Sequence, residues 1–268
     1  MEPDLKQTAE KTDQDNVLEL VTESDDVTVD CDIEKSNGEQ ALIDAKAKQE
    51  KVGAPGRLKT KGSVVIHSRS AHDLFYGRRG DKETGVNQIV GLTLFASNTN
   101  NLSMLCRRDD PYAEAVLIEI EELFEDLECK LSAELHRLES LLAGMSGVVI
   151  QFHKSETPVS IPLEFGTPYG FIAARFLSKY DQLFTLAYSA KQVGLLNQSG
   201  WFKAVIKMRT KLRHIFHVST LYRFGGASRD DIAANNAVAR SVREKYGDLS
   251  NEILMREKRA QYVSHNSA

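Results

Sequence analysis

The chain has 268 residues, 41% hydrophobic and 27% charged, the proportions of a soluble globular protein. Its net charge of −4 divides unevenly: residues 1–50 hold 15 acids and 5 bases, and the rest of the chain is net basic by 6. No run of 18 apolar residues is present and the acidic N-terminus lacks a signal-peptide pattern, which argues against a membrane-spanning helix or a secreted protein.

Residues 1–56 are carboxylate-rich, poor in aromatics and without a sustained period, and are expected to be disordered. "GAPG" at 53–56 closes that segment as a linker. Residues 57–260 are expected to form a single α-rich domain. In "RLKTKGSVVIHSR" (57–69), Val64 and Ile66 share one face of a strand. Lys59, Lys61, Ser63, Val65, His67 and Arg69 share the other. Ser70 is a candidate cap for a short helix that buries Ala71, Leu74 and Phe75. After the turn "RRGDKETG", Thr84 can cap a second helix with Val86, Ile89, Val90, Thr93 and Leu94 on one stripe.

Asp110 before Pro111 is a strong helix start. Leu117, Ile120, Phe124, Leu127, Leu131, Leu135, Leu138 and Leu142 then recur at spacings of three and four up to Gly144. A helix of roughly 33 residues is about 50 Å long and needs a second long helix to cover its stripe, in its own chain or a partner's. Residues 147–165 read as a hairpin, Val148, Ile150 and Phe152 facing Val159, Ile161 and Leu163, with Pro158 and Pro162 marking an edge. Pro168 opens a helix to about Leu195. The helix from Trp201 carries Lys203, Lys207, Arg209, Lys211, Arg213 and Arg223 with no acid, and Ser228 caps another. The C-terminal "LMREKRAQYVSHNSA" is expected to fray.

Chemistry is sparse. The chain has no Walker A loop, GxGxxG fingerprint, HExxH, GxSxG or EF-hand loop. His214 and His217 lie three apart but among cations and apolar residues, a basic or packing face rather than a metal pair. Glu121 and Glu125 read as a solvated helix face, and Cys129 as a packing residue beside the leucine stripe. Cys31, Cys106 and Cys129 have no metal-like spacing, which fits a reduced, cytoplasmic protein. An enzyme is not expected, nor a cofactor or bound metal.

What remains is positive charge. Residues 51–80 hold seven bases against Asp73 alone. A cationic body with an acidic tail suits a polyanion, with the tail as a competitor for the same surface. Lysines on a strand also serve merely to protect an edge. Strand, helix, turn and helix in that order favour more. Such a strand, paired antiparallel with its copy in a second subunit, makes a two-stranded ribbon that fits the DNA major groove. The helices of both subunits then bury its inner face. The fold expected is therefore mainly α with small β elements (α+β): a ribbon-helix-helix-like unit at 57–98, elaborated by long helices and a β-hairpin. Arg57, Lys59, Lys61, Ser63, His67 and Arg69 would face DNA. A helix start at Thr84 would offer N–H groups to a phosphate, and Lys207 and Lys211 would add a second cationic surface. The alternative is a non-DNA-binding interaction protein that binds a partner through the 111–143 helix.

"SVVIHSRSAHDLFYGR", "IVGLTLFAS", "RRDDPYAEAVLIEIEE", "PVSIPLEFGTPYGF", "YDQL", "KQVGLL" and "YRFGGASRDDI" together resemble the integrating-conjugative-element protein family, which includes AcaB-type activators of conjugative plasmids. The likeness runs from about residue 58 to about residue 258, with "DDPYA" and "PYGF" its most distinctive phrases. It implies a homodimeric, ribbon-helix-helix-related activator that binds promoter DNA and switches on regulators of conjugative transfer, with RNA polymerase as a further candidate partner. It assigns no base-reading residue.

Overall fold

A computed structural model of the chain describes residues 62–81, 83, 85–144, 155–223 and 225–263. The acidic segment 1–56, Arg57, Lys59, Lys61, Thr84 and the predicted strand 148–152 lie outside the described residues.

The described part is mainly helical with one small antiparallel sheet, an α+β arrangement as expected. Strand β1 (Gly62–Ile66) alternates as its sequence requires, with Val64 and Ile66 buried and Ser63 and Val65 exposed. Its partner is β2 (Val159–Leu163), with Gly62 opposite Leu163 and Val64 opposite Ile161. Within the described residues, then, Val159, Ile161 and Leu163 pair with β1, a strand far away in the chain. Pro162 fits an edge strand, which β2 is.

Helix α1 (Arg69–Tyr76) is capped by Ser68 rather than by Ser70, the Ser68 hydroxyl accepting from Ala71 N at 3.1 Å. Ala71, Leu74 and Phe75 are buried as expected. The second helix corrects its sequence expectation. Residues 78–89 fold back on themselves through backbone bridges between Arg78 and Ile89 and between Asp81 and Val86. Helix α2 (Leu92–Cys106) begins only after them, with Gly91 at its cap. The 86–90 spacing suits a helix, but glycine contact decides otherwise. Gly77 sits at φ +70° and packs backbone to backbone on Gly91, where a Cβ would lie 2.4 Å from Gly77 N.

Helix α3 (Pro111–Ala143) matches expectation, the Asp110 carboxylate accepting from Tyr112 N and Ala113 N at 3.0 and 3.2 Å. Its whole leucine stripe is buried in the chain's own core. It packs on α2, on α4 (Pro168–Gln192) and on α5 (Gln198–Val218), and α4 packs on α1, α2, α5 and β1 as well. The long helix thus finds its companion within the chain. Asn197 caps α5 through Gly200 N at 2.7 Å.

Ser228 caps α6 (Arg229–Ala233) in a reciprocal capping box with Asp231. The predicted single helix after Ser228 is interrupted at Asn235, φ +47°, and resumes as α7 (Ala237–Tyr246). The C-terminal run does not fray up to Val263. After α8 (Asn251–Leu254), Ala260 and Val263 are buried and Gln261 N donates to Glu121 at 2.9 Å. Among the described residues no helix is long and apolar enough to cross a membrane.

Candidate nucleic-acid interface

The outward face of the sheet is less cationic than the sequence suggests, as far as its described residues go. Ser63 and Val65 on β1 and Ser160 and Pro162 on β2 form it, and all four are exposed. His67 turns inward: it is half-buried, its backbone N donates to Asp181 Oδ2 at 2.7 Å, and its Nδ1 is buried without a partner. Ser68 N donates to the other Asp181 oxygen at 2.8 Å. One buried carboxylate on α4 therefore anchors the junction of β1 and α1. Arg69 is exposed, at the first position of α1 rather than on the strand.

The edge of β1 away from β2 carries no strand among the described residues. A cavity of about 830 Å³ lies between β1 and α4, lined by Ser63, Val65, His67, Phe171, Arg175 and Gln182, among others.

The phosphate-facing helix start expected at Thr84 lies instead at Gly91, because α2 begins there. No side chain caps it. A second recess of about 610 Å³ opens beside it, between Arg78, Arg79, Gly91, Thr93 and Ser97.

On α5 the cations differ in their surroundings. Lys207 is exposed with no partner among the described residues. Lys211 bonds Asp126 Oδ2 on α3 at 2.8 Å, and the other oxygen of that carboxylate holds Lys130. Lys211 is thus largely satisfied within the fold. Sequence reasoning passed over Arg209 and Arg213 as site residues, though both project from the same helix. They are half-buried one turn apart, and both Nε atoms are buried without a hydrogen-bond partner. The i, i+4 spacing of two arginines on an acid-free helix was the available signal.

The acids of "RRDDPYAE" serve structure. Tyr222 donates to Asp110 at 2.6 Å and stacks on Tyr112, whose hydroxyl bonds Gly247 O at 2.9 Å. Arg229 joins Asp109 at 2.5 Å and the buried Glu114. Phrases distant in sequence, "DDPYAE" and "YRFGGASRDDI", therefore meet in one clasp that holds the C-terminal helices to α3. Glu121 is likewise buried, accepting from Tyr169 Oη at 2.5 Å, so it is not on a solvated face as expected. Burial holds its carboxyl, and that of Asp110, above the ordinary range. Cys129 is exposed, not packed; Cys106 is the buried thiol, and burial pushes its pKa far up.

A two-stranded sheet on a helical body thus carries exposed arginines and a set of clasped acids. The chain matches the AcaB transcriptional regulator family over residues 54–265 and belongs to that family, which is one of regulators and not of enzymes. It is similar to the crystal structure of selenomethionine-containing AcaB from uropathogenic E. coli, at 12% identity and TM-score 0.50, over 78% of this chain and 100% of that one. At that identity the likeness concerns the fold. No curated protein matches.

Proposed function

We propose that this chain is a sequence-specific DNA-binding activator of conjugative-transfer regulatory genes, acting as a homodimer in the cytoplasm, with RNA polymerase as a further partner. The observation that carries the reading is the edge of β1 that holds no strand among the described residues, in a strand-helix-turn-helix unit of a transcriptional-regulator family. A second copy adds its own β1 along that edge, giving a ribbon flanked on each side by β2. Arg57, Lys59 and Lys61 at the start of the strand, with Ser63 and Arg69, face DNA. Gly91 takes over from Thr84 as the helix start that meets a backbone phosphate, with Arg78 and Arg79 beside it. Of the α5 lysines, Lys207 is the better contact, because Lys211 is engaged with Asp126.

The leucine stripe of α3 is enclosed by the chain's own helices, which weighs against the alternative of a partner helix docking there. Footprinting on the promoters of the chain's own operon, with light scattering for mass, tests the proposal. The expected outcome is a two-fold symmetric footprint from a dimer. Lys59→Ala and Lys61→Ala should each reduce the salt slope of binding by roughly one. A monomer, or unchanged binding in both variants, removes the ribbon.

A further inference from the structure

The fold neutralises most of its enclosed cations. Arg229 has Asp109 and Glu114, Lys211 has Asp126, and Lys179 has Glu128. Two guanidiniums break that pattern. Arg209 and Arg213 stand one turn apart on α5, half-buried, with no hydrogen bond or ion pair among the described residues and with both Nε atoms shut away from solvent. Their surroundings are cationic. Each acts on the charge of the Tyr180 hydroxyl, which is shared with Ser70 at 2.7 Å, and Arg78 from the turn after α1 acts on Arg213. Burial first, and then the like charge of Arg209, press the Arg213 pKa below its ordinary value. Asp73 on α1 is a carboxylate near enough to act on Arg213, yet it forms no ion pair with it.

Two like charges held together, half-desolvated and with donors unused, are costly unless an anion completes them. Planar guanidiniums with free N–H groups match the oxygens of a phosphate. We propose that Arg209 and Arg213 form a phosphate-binding site on α5. The ligand is a phosphate group, carried either by the DNA backbone or by a small phosphorylated molecule. The site stands independently of the β1 ribbon, since α5 builds it.

The test uses the full chain. Arginine Nε–Hε correlations are recorded by NMR and assigned with Arg209→Lys and Arg213→Lys. Inorganic phosphate is then titrated in at constant ionic strength against chloride. In parallel, a labelled duplex of mixed sequence is bound at several salt concentrations by wild type, Arg209→Gln and Arg213→Gln, with Lys130→Gln as a control. Phosphate is expected to move both Nε resonances. If DNA supplies the phosphate, each Gln variant binds duplex about 3- to 10-fold more weakly, with a salt slope smaller by roughly one, and Lys130→Gln does not. Movement by phosphate with unchanged duplex binding upholds the site and assigns it to a small phosphorylated ligand. Movement by phosphate in a chain that does not bind duplex at all removes the DNA-binding reading and leaves the site standing. Resonances that respond to neither phosphate nor duplex overturn the inference in the wild-type protein itself, whatever the variants do to folding.

Discussion

Arg229 shows how much a single side chain can hold. Its guanidinium joins Asp109, Glu114 and the Ile253 carbonyl, so α6, α3 and α8 meet on one residue. Removing one partner of a buried ion pair costs about 3–5 kcal/mol, and because Glu114 keeps Arg259 at 3.6 Å the expected loss lies at the lower end, about 3 kcal/mol. Arg229→Ala should lower unfolding free energy by that amount in urea, and Glu114→Gln added to it should recover part of the loss. A cost below about 1 kcal/mol would mean that Glu114 reaches water. Glu121 carries a pH signature of the opposite sense to an ordinary paired acid. Burial raises its pKa above the usual 4.5, in spite of hydrogen bonds from Tyr169 and Gln261 that favour the ionised form. The folded chain then keeps a proton that the unfolded chain has lost, so its contribution to stability falls as pH rises from 4.5 through the raised value. Above that value the contribution is level. Measured by urea unfolding across that window, wild type should lose stability relative to Glu121→Gln as pH rises; a gain would contradict the sign.

Among elements, the ones defined by their own caps and periods are α3 and α4. Asp110–Pro111 starts α3 and the three-and-four spacing of its leucines carries it to Gly144. Pro168 does the same for α4. Helix α2 was not legible in this way. Val86, Ile89 and Val90 have helical spacing, but Val86 ends up exposed and paired with Asp81, because Gly77 and Gly91 touch. Gly91→Ala would force a Cβ to 2.4 Å from Gly77 N. The expected cost is about 1–3 kcal/mol or more, seen as a lower melting temperature with helix content retained. A neutral substitution would show that the fold-back between α1 and α2 yields easily. The basic helix α5 was legible as an element, but the division of its cations was not: Asp126 on α3 takes Lys211 while Arg209 and Arg213 have no acid partner among the described residues.

Across the whole molecule, charge is segregated by segment, with the first 50 residues net −10 and the rest net +6. Carboxylates tethered to a cationic body compete with DNA through mass action at high local concentration and are screened by salt. Deleting residues 1–52 should therefore tighten binding to mixed-sequence duplex at low salt, an effect that shrinks as salt is raised; equal affinities by fluorescence anisotropy would remove the competitor role. Size by light scattering addresses the dimer, whose supporting feature is again a property of the assembled chain, the edge of β1 that holds no strand among the described residues.

The amino-acid order alone determined the mainly helical class, the caps and limits of α3, the inward face of β1 and the family likeness, because each depends on residues within a turn or two of one another or on phrases read directly. Tertiary structure decided that β2 pairs with β1, that α2 waits for Gly91, that Glu121 is buried, and that Lys211 pairs with Asp126. These outcomes join residues far apart in the chain or override local preference through packing and backbone approach, as between β1 and β2 and between Gly77 and Gly91.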